Sequence, residues 1–252
     1  MVLGGAGQEV SVSRSTLGLC FNFERGVAYD SEYLSDVGLE HVLKTLERHK
    51  LRATFNCPAK LCEISPERVK MIASAGHEIA ILGYADESPR ELTDDGIKQL
   101  VFTCRNIFIK MGLPPHGFQS PRSQWDERLC RELAKQHFRY SAEHDHAKQP
   151  YVIEAGPPPL VRIPISTDDR GLLHSEHTVD KTISKHHRRL RHAAENRHFV
   201  AICFHPWILA EETARLQYWE EWLQTAIRLG MKIGPLVDAL PTEPPAETVA
   251  GR

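Results

Sequence analysis

The stretch from Ala53 to Ala80 reads ATFNCPAKLCEISPERVKMIASAGHEIA, and its pattern decides the fold class. The apolar run from Leu51 to Asn56 predicts a strand. Ser65 is placed to cap a helix, and Gly76 is placed to end it. The run from Glu78 to Leu82 then predicts a second strand. Two strands joined by a helix in so few residues indicate a parallel βαβ unit.

The same alternation continues on both sides of this stretch. Further strands are predicted at Leu17–Phe23, Gly117–Ser120, Phe138–Ser141, Leu160–Ile165, Phe199–Phe204 and Met231–Gly234. Helices are predicted at Asp36–His49, Leu92–Met111, Asp126–Gln136, Val179–Glu195 and Glu211–Leu229. Seven or eight such units with no linker between them predict one α/β domain, residues 15–240, folded as a deformed (β/α)7-8 barrel. Residues 1–14 and 241–252 are rich in Gly or in Pro, Glu and Thr, and we expect them to be flexible tails.

Composition places the chain among ordinary globular proteins. It has 252 residues, 41% hydrophobic and 25% charged, with a formal net charge of -2. This balance gives no reason to expect nucleic acid or an anionic membrane as a partner. The first residues lack a basic segment followed by an apolar one, and Cys20 and Cys203 lie in apolar runs typical of buried free thiols. We therefore expect a cytoplasmic protein.

Three collinear segments resemble the polysaccharide deacetylase family. They are the quoted stretch, GFQSPRSQWDERLCRELAKQHFRYSAE from Gly117 to Glu143, and ICFHPW from Ile202 to Trp207. The resemblance covers roughly residues 17–240 and implies that family's deformed barrel. It also implies removal of acetyl groups from N-acetylated sugars, with a metal that polarises the amide carbonyl and activates water.

The family's metal ligands are absent from the matching positions. The preferred register aligns Glu24 with the family's base and Arg25 with a ligating Asp, while Leu82 and Asp86 replace its two histidines. A second register would instead make Asn22 the base and Glu24 a ligand. Leucine cannot bind a metal and arginine stays cationic, so neither register assembles three ligands.

The catalytic acid of the family is retained. His205 stands at its position, and Asp168 or Asp169 stands near the place of the Asp that orients it. The resemblance thus implies Glu24 as base, His205 as acid and one of these aspartates as support. Six further residues are candidates for binding substrate: Arg25, Asp86, Gln119, Arg122, Trp125 and Trp207.

Two ideas concern the charges near this site. The Arg25 guanidinium in the metal's place could pair with Asp86 or contact a substrate carboxylate or oxyanion. The basic run in the helix after Val179, which includes His186 and His187, is typical of a solvated face.

Three functions remain open at this point. The first is a metal-independent hydrolase of an amide bond in a small soluble substrate, such as a cyclic amide or an N-acylated sugar, as in the allantoinase-like branch of the superfamily. The second is a pseudoenzyme that uses the fold as a binding or scaffold subunit. The third is a rebuilt zinc or manganese site made of Glu24, Asp86 and His205. No other cofactor is expected, and homo-oligomerisation is possible.

Overall fold

A computed structural model describes residues 14–27, 31–153 and 159–240. Within these residues the structure has ten strands, which all belong to one sheet. The strands are β1 (Thr16–Asn22), β2 (Thr54–Cys57), β3 (Glu78–Leu82), β4 (Gly117–Gln119), β5 (Tyr140–His144), β6 (Tyr151–Ile153), β7 (Leu160–Ile165), β8 (Thr167–Asp168), β9 (Phe199–Phe204) and β10 (Lys232–Gly234).

The sheet is parallel except at one edge. Its order is β6-β7-β5-β4-β3-β2-β1-β9-β8, with β10 beside the start of β1 and only β6 antiparallel to its neighbour. The chain passes directly from β7 into β8, and β8 pairs with β9. The two ends of the sheet are thereby brought together, with Ser166 N–H donating to Ala201 O between them. The predicted deformed α/β barrel is confirmed.

Helices cover the outside of this sheet. They are α1 (Glu32–Arg48), α2 (Ala59–Ile64), α3 (Pro66–Ser74), α4 (Asp94–Lys110), α5 (Glu127–Lys135), α6 (Glu176–Asn196), α7 (Pro206–Ala210) and α8 (Thr213–Arg228). Thr93 caps α4, with its hydroxyl accepting from the Gly96 N–H. Helix α1 begins four residues before the predicted start because the Ser31 hydroxyl accepts from the Leu34 N–H.

Two details of the predicted helices are wrong. Ser65 stands at the N-cap position of α3, but its hydroxyl makes no capping bond and accepts from Arg25 instead. The helix predicted over Glu211–Leu229 begins only at Thr213, after the separate short helix α7. The chain turns between them at Glu212, whose backbone is extended.

The core has two layers, one on each face of the sheet. Successive side chains of β1 point to opposite faces of the sheet and so enter different layers. Cys20 belongs to the cluster inside the barrel, and Phe21 belongs to the cluster beneath the helices. Inside the barrel the Tyr140 ring fills the space over Gly117, where a Cβ would lie 1.9 Å from the ring. The Tyr140 hydroxyl donates to the half-buried Glu78. The barrel interior is therefore packed near the amino ends of the strands.

Several other predictions concern the whole chain. All six cysteines are buried and free, which confirms the prediction made for Cys20 and Cys203. Within the described residues, no helix combines the length and apolarity that crossing a membrane requires. Apart from Arg14, the tails predicted at residues 1–14 and 241–252 lie outside the described residues.

Candidate active site

Polar side chains gather where the parallel strands end. Asn22 ends β1, Asn56 lies near the end of β2, and Gln119 ends β4. Asp169 follows β8, and His205 follows β9. Because the carboxyl ends of parallel strands meet at one edge, these five residues converge on that edge of the barrel. All five are buried.

The best-defined feature of the site is the pair formed by His205 and Asp169. Asp169 Oδ1 lies 2.6 Å from His205 Nδ1, and Asp169 Oδ2 accepts from the His205 backbone N–H at 2.8 Å. One carboxylate therefore fixes both the ring and the main chain of His205. Only 1% of His205 is exposed. Of the two candidate aspartates, Asp169 is the one that contacts this histidine.

Asp168 has different partners. Its carboxylate accepts from the Arg170 N–H at 3.1 Å and lies 3.5 Å from His144 Nε2. Burial raises the pKa of this carboxyl, but the His144 hydrogen bond and the charges of His205 and His144 outweigh burial and lower the pKa to about 2. Asp168 therefore supports the turn beside the site, and Asp169 is the aspartate that holds His205.

The charges around His205 favour its protonated form. Burial lowers the pKa of the imidazole, but the Asp169 charge and hydrogen bond, together with the Glu24 charge, raise it above its ordinary value. The ring's other nitrogen, Nε2, is buried and hydrogen-bonds to no described residue. A protonated, oriented imidazole with one nitrogen left over is suited to donate a proton to a bound group.

Glu24 lies close to this histidine on the loop after β1. Its charge acts on His205, and its Oε2 lies 3.8 Å from Arg170 Nη2. Only 9% of the Glu24 side chain is exposed. The structure thus brings Glu24, Asp169 and His205 together, as the resemblance implied, and adds Arg170, which sequence reasoning missed.

Amide side chains fill the edge where the family holds its metal. The Asn56 amide donates to Asn22 Oδ1 at 2.9 Å and to Gln119 Oε1 at 2.7 Å. The Cys203 thiol also donates to Asn22 Oδ1, at 3.0 Å. Asn22 Oδ1 and Gln119 Oε1 are thus acceptors within this network, whereas Asn56 Oδ1 is buried and has no partner among the described residues. Leu82, in the place of a ligating histidine, is buried beside it.

These residues do not fit a metal. No group of three or more His, Cys, Asp or Glu side chains within the described ranges is arranged to hold an ion. The rebuilt site imagined from Glu24, Asp86 and His205 is not assembled, because Asp86 Oδ1 pairs with Arg122 Nε at 3.3 Å.

The hypothesis that Arg25 takes the metal's place and pairs with Asp86 is wrong. The Arg25 guanidinium forms a two-point ion pair with Asp36 of α1, at 2.9 and 3.1 Å, and donates to Ser65 Oγ at 2.8 Å. Arg25 has a positive φ of 38°. Its side chain contacts Asp36, whereas the Glu24 side chain faces Arg170. Arg25 therefore ties the loop to α1 and the start of α3.

Asp86 and Arg122, two predicted substrate contacts, bind each other. Besides the ion pair, Arg122 Nη2 donates to the Asp86 backbone carbonyl at 2.9 Å. These contacts join the loop after β3 to the turn after β4. Gln119, the third predicted contact from this region, is held in the amide network.

The predicted tryptophans pack against the protein itself. Arg162 lies 3.8 Å from the centre of the Trp125 ring, and its guanidinium donates to Ser141 and Cys130 beneath α5. Trp125 is thus part of the packing between α5 and the outer face of the sheet. Trp207 is half-buried against the outer core, and its indole nitrogen is buried with no described partner.

His186 does not belong to a solvated face, contrary to the prediction for the basic helix. It is fully buried, with Nδ1 2.5 Å from the Tyr218 hydroxyl and Nε2 3.0 Å from the Asp168 carbonyl oxygen. The spacing of His186, Leu190 and Ala193, all buried, is a helical repeat that could have indicated this. His186 holds the turn that carries Asp169.

The chain is similar to a known family over its first five strands. Residues 20–141 match the model described as polysaccharide deacetylase. The matched range is just under half of the chain and ends before Asp169 and His205. The chain is 27% identical over 126 residues to the peptidoglycan deacetylase of Helicobacter pylori, a stretch that spans 49% of this chain and 43% of that relative. The chain thus matches less than half the length of this relative.

Solved structures extend the likeness to the whole barrel. A putative polysaccharide deacetylase from Mycobacterium smegmatis superposes with a TM-score of 0.80 at 19% identity, over 91% of each chain. Puue allantoinase gives 0.75 at 17% identity, over 89% of this chain and 88% of that one. A pseudoenzyme of the same family from Bacillus anthracis gives 0.65 at 16% identity, over 91% and 66%. At these identities the likeness establishes the fold.

Proposed function

We propose that this deacetylase-like barrel hydrolyses a carbon–nitrogen amide bond without a metal, with Glu24 as base and His205 as acid. The observation that carries the proposal is the buried His205–Asp169 pair, whose Nε2 has no partner among the described residues and whose imidazole pKa the Glu24 charge helps to raise. An unpaired buried nitrogen costs stability, so its presence here favours a functional use.

The reaction follows from the positions of these groups. Glu24 accepts a proton from water as the water oxygen attacks the amide carbon. The imidazolium of His205 donates its Nε2 proton to the leaving nitrogen as the carbon–nitrogen bond breaks. Transfer of the proton from Glu24 back to His205 restores both groups. Asp169 holds the imidazole and stabilises its positive charge throughout.

The substrate class comes from the relatives and the site together. Deacetylases and allantoinase on this fold point to an N-acylated sugar or a small cyclic amide. Metal independence is supported by the side chains at this edge, because the described residues offer no group of three or more His, Cys, Asp or Glu side chains arranged to hold an ion.

One observation favours a non-catalytic binding or scaffold subunit as the second candidate. His205 is almost fully covered, and amide side chains occupy the edge where a substrate carbonyl would meet the metal in the family. A pseudoenzyme with the same fold gives this alternative a precedent.

Hydrolysis by matched variants separates the two candidates. Glu24→Gln and His205→Gln should each lower kcat by about 100-fold or more on N-acetylated sugars or cyclic amides, because each removes one proton transfer. Asp168→Asn is the control for Asp169→Asn, and its kcat should fall much less than that of Asp169→Asn. Thermal unfolding would verify that every variant is folded. A wild-type protein that hydrolyses nothing on the panel would favour the scaffold function, and active Glu24→Gln protein would refute the mechanism.

A further inference from the structure

Arg170 lies directly beside the His205–Asp169 pair. It follows Asp169 in the chain and begins the short 3-10 turn Arg170–Leu173. Its backbone N–H donates to Asp168 Oδ1 at 3.1 Å. The turn that carries Asp169 therefore also determines where the Arg170 side chain begins.

Helix α6 holds this turn from behind. His186 Nε2 contacts the Asp168 carbonyl at 3.0 Å, and Lys185 Nζ donates to Thr167 Oγ1 at 2.9 Å. Gly171 lies so close to Thr182 that a Cβ would be 2.2 Å from its hydroxyl oxygen. The turn is thus packed against α6 and presents Arg170 in a defined position.

The three charged side chains of the site differ in exposure. The exposed fraction is 45% for the Arg170 side chain, 9% for Glu24 and 2% for His205. A ligand that approaches from solvent therefore meets the guanidinium first. The Arg170 charge also acts on His205, where it opposes part of the rise in the imidazole pKa caused by Asp169 and Glu24.

The Arg170 guanidinium is available for a ligand. Its Nη2 lies 3.8 Å from Glu24 Oε2, which is too long for a hydrogen bond. In the described part of the chain, no side-chain hydrogen bond of Arg170 is found to any other residue, whereas Arg25 is committed to Asp36 and Ser65. A guanidinium offers a planar fork of donors that matches a carboxylate or an oxyanion.

We propose that Arg170 is the cation that stabilises the oxyanion in this site. Its guanidinium binds the amide oxygen, the oxyanion derived from it and the carboxylate product. This inference rests on the proposed amide hydrolysis. When water attacks, a carbon–oxygen bond forms and the carbonyl π electrons move onto the amide oxygen. Arg170 donates hydrogen bonds to that oxygen without giving up a proton. The π bond then re-forms, the carbon–nitrogen bond breaks, and the nitrogen takes the His205 proton.

Acetate tests the binding of the product carboxylate independently of turnover. Calorimetry would measure acetate binding, with neutral acetamide as the probe that lacks the charge. Arg170→Gln should weaken acetate binding at least 10-fold and leave acetamide unchanged, while Arg170→Lys keeps part of the affinity. Arg131→Gln, which removes an exposed arginine on α5, is the control and should match wild type. Glu24→Gln should bind acetate at least as tightly as wild type, because a negative charge is lost.

Turnover supplies the second readout. Arg170→Gln should lower kcat by about 100-fold or more, and millimolar guanidinium should restore part of the loss. Acetate binding that depends on Arg170 in a protein without hydrolysis would refute the proposed function but leave the anion site standing. Hydrolysis and acetate binding that are unchanged in Arg170→Gln, or no acetate binding by wild type, would overturn this inference.

Discussion

His186 is a buried imidazole whose two nitrogens have opposite roles. Burial is the main cause that lowers its pKa, to about 4, so the ring is neutral at ordinary pH. With the ring neutral, Nε2–H donates to the Asp168 carbonyl and Nδ1 accepts from the Tyr218 hydroxyl. The geometry of the Asp169 turn therefore depends on an uncharged histidine in α6.

This neutrality predicts a specific dependence of stability on pH. The unfolded chain binds a proton at His186 below about pH 6.5, whereas the folded protein resists protonation down to about pH 4. The contribution of neutral His186 to the free energy of unfolding is thus fully present above pH 6.5. It is lost as the pH falls towards 4, by at most about 3 kcal/mol. Urea unfolding from pH 7 to pH 4 would measure it. His186→Gln should flatten the slope relative to His192→Gln, an exposed position on the same helix, and equal slopes in the two variants would contradict this interpretation.

At the residue scale, the resemblance predicted part of the site. It indicated Glu24, His205 and an aspartate, and the structure places all three together. It gave the wrong partner for Arg25, which pairs with Asp36 of α1 and not with Asp86. Arg170 was missed because its role depends on a turn that packs against a distant helix, which local sequence does not encode.

Helix α1 owes its position beside the site to one glycine. A Cβ on Gly38 would lie 1.9 Å from the backbone carbonyl oxygen of Pro206, the residue after His205. A backbone atom cannot move away as a side-chain tip can. The close approach of α1 to α7 therefore requires glycine at position 38.

Gly38→Ala should separate these helices and destabilise the protein. We expect a loss of about 1–3 kcal/mol in the free energy of unfolding, typical of overpacking, together with lower activity because His205 adjoins the displaced segment. Gly96→Ala in α4 is the control, since its Cβ would meet only side-chain atoms at 3.3 Å and alanine favours helix. Denaturant unfolding of both variants measures the difference. A Gly38→Ala protein as stable as Gly96→Ala would show that the contact is not restrictive.

At the element scale, hydrophobic patterning was a good guide to long strands. Glu78–Leu82, Leu160–Ile165 and Phe199–Phe204 have the predicted bounds, because each is mainly apolar and lies between clear breaks. The strands β6 and β8 were missed, since two or three residues carry no periodicity. The short helix α7 was also missed, and the helix predicted from Glu211 begins two residues later, at Thr213.

For the whole molecule, alternating strands and helices were enough to predict a deformed barrel. They could not predict its closure, which depends on the direct passage from β7 to β8 and on the pairing of β8 with β9. That closure brings Asp169 beside His205. The barrel thus brings the His205–Asp169 pair and the Asn22–Asn56–Gln119 amide network to the same edge of the sheet.

The central claim is that Glu24 and His205 hydrolyse an amide bond without a metal. Turnover by metal-stripped protein tests this claim most directly. The purified protein would be treated with a chelator, its metal content measured, and its hydrolysis of N-acetylated sugars and cyclic amides recorded before and after addition of zinc. We predict turnover in the stripped protein and no increase with zinc. Turnover that appears only after zinc is added would contradict the account.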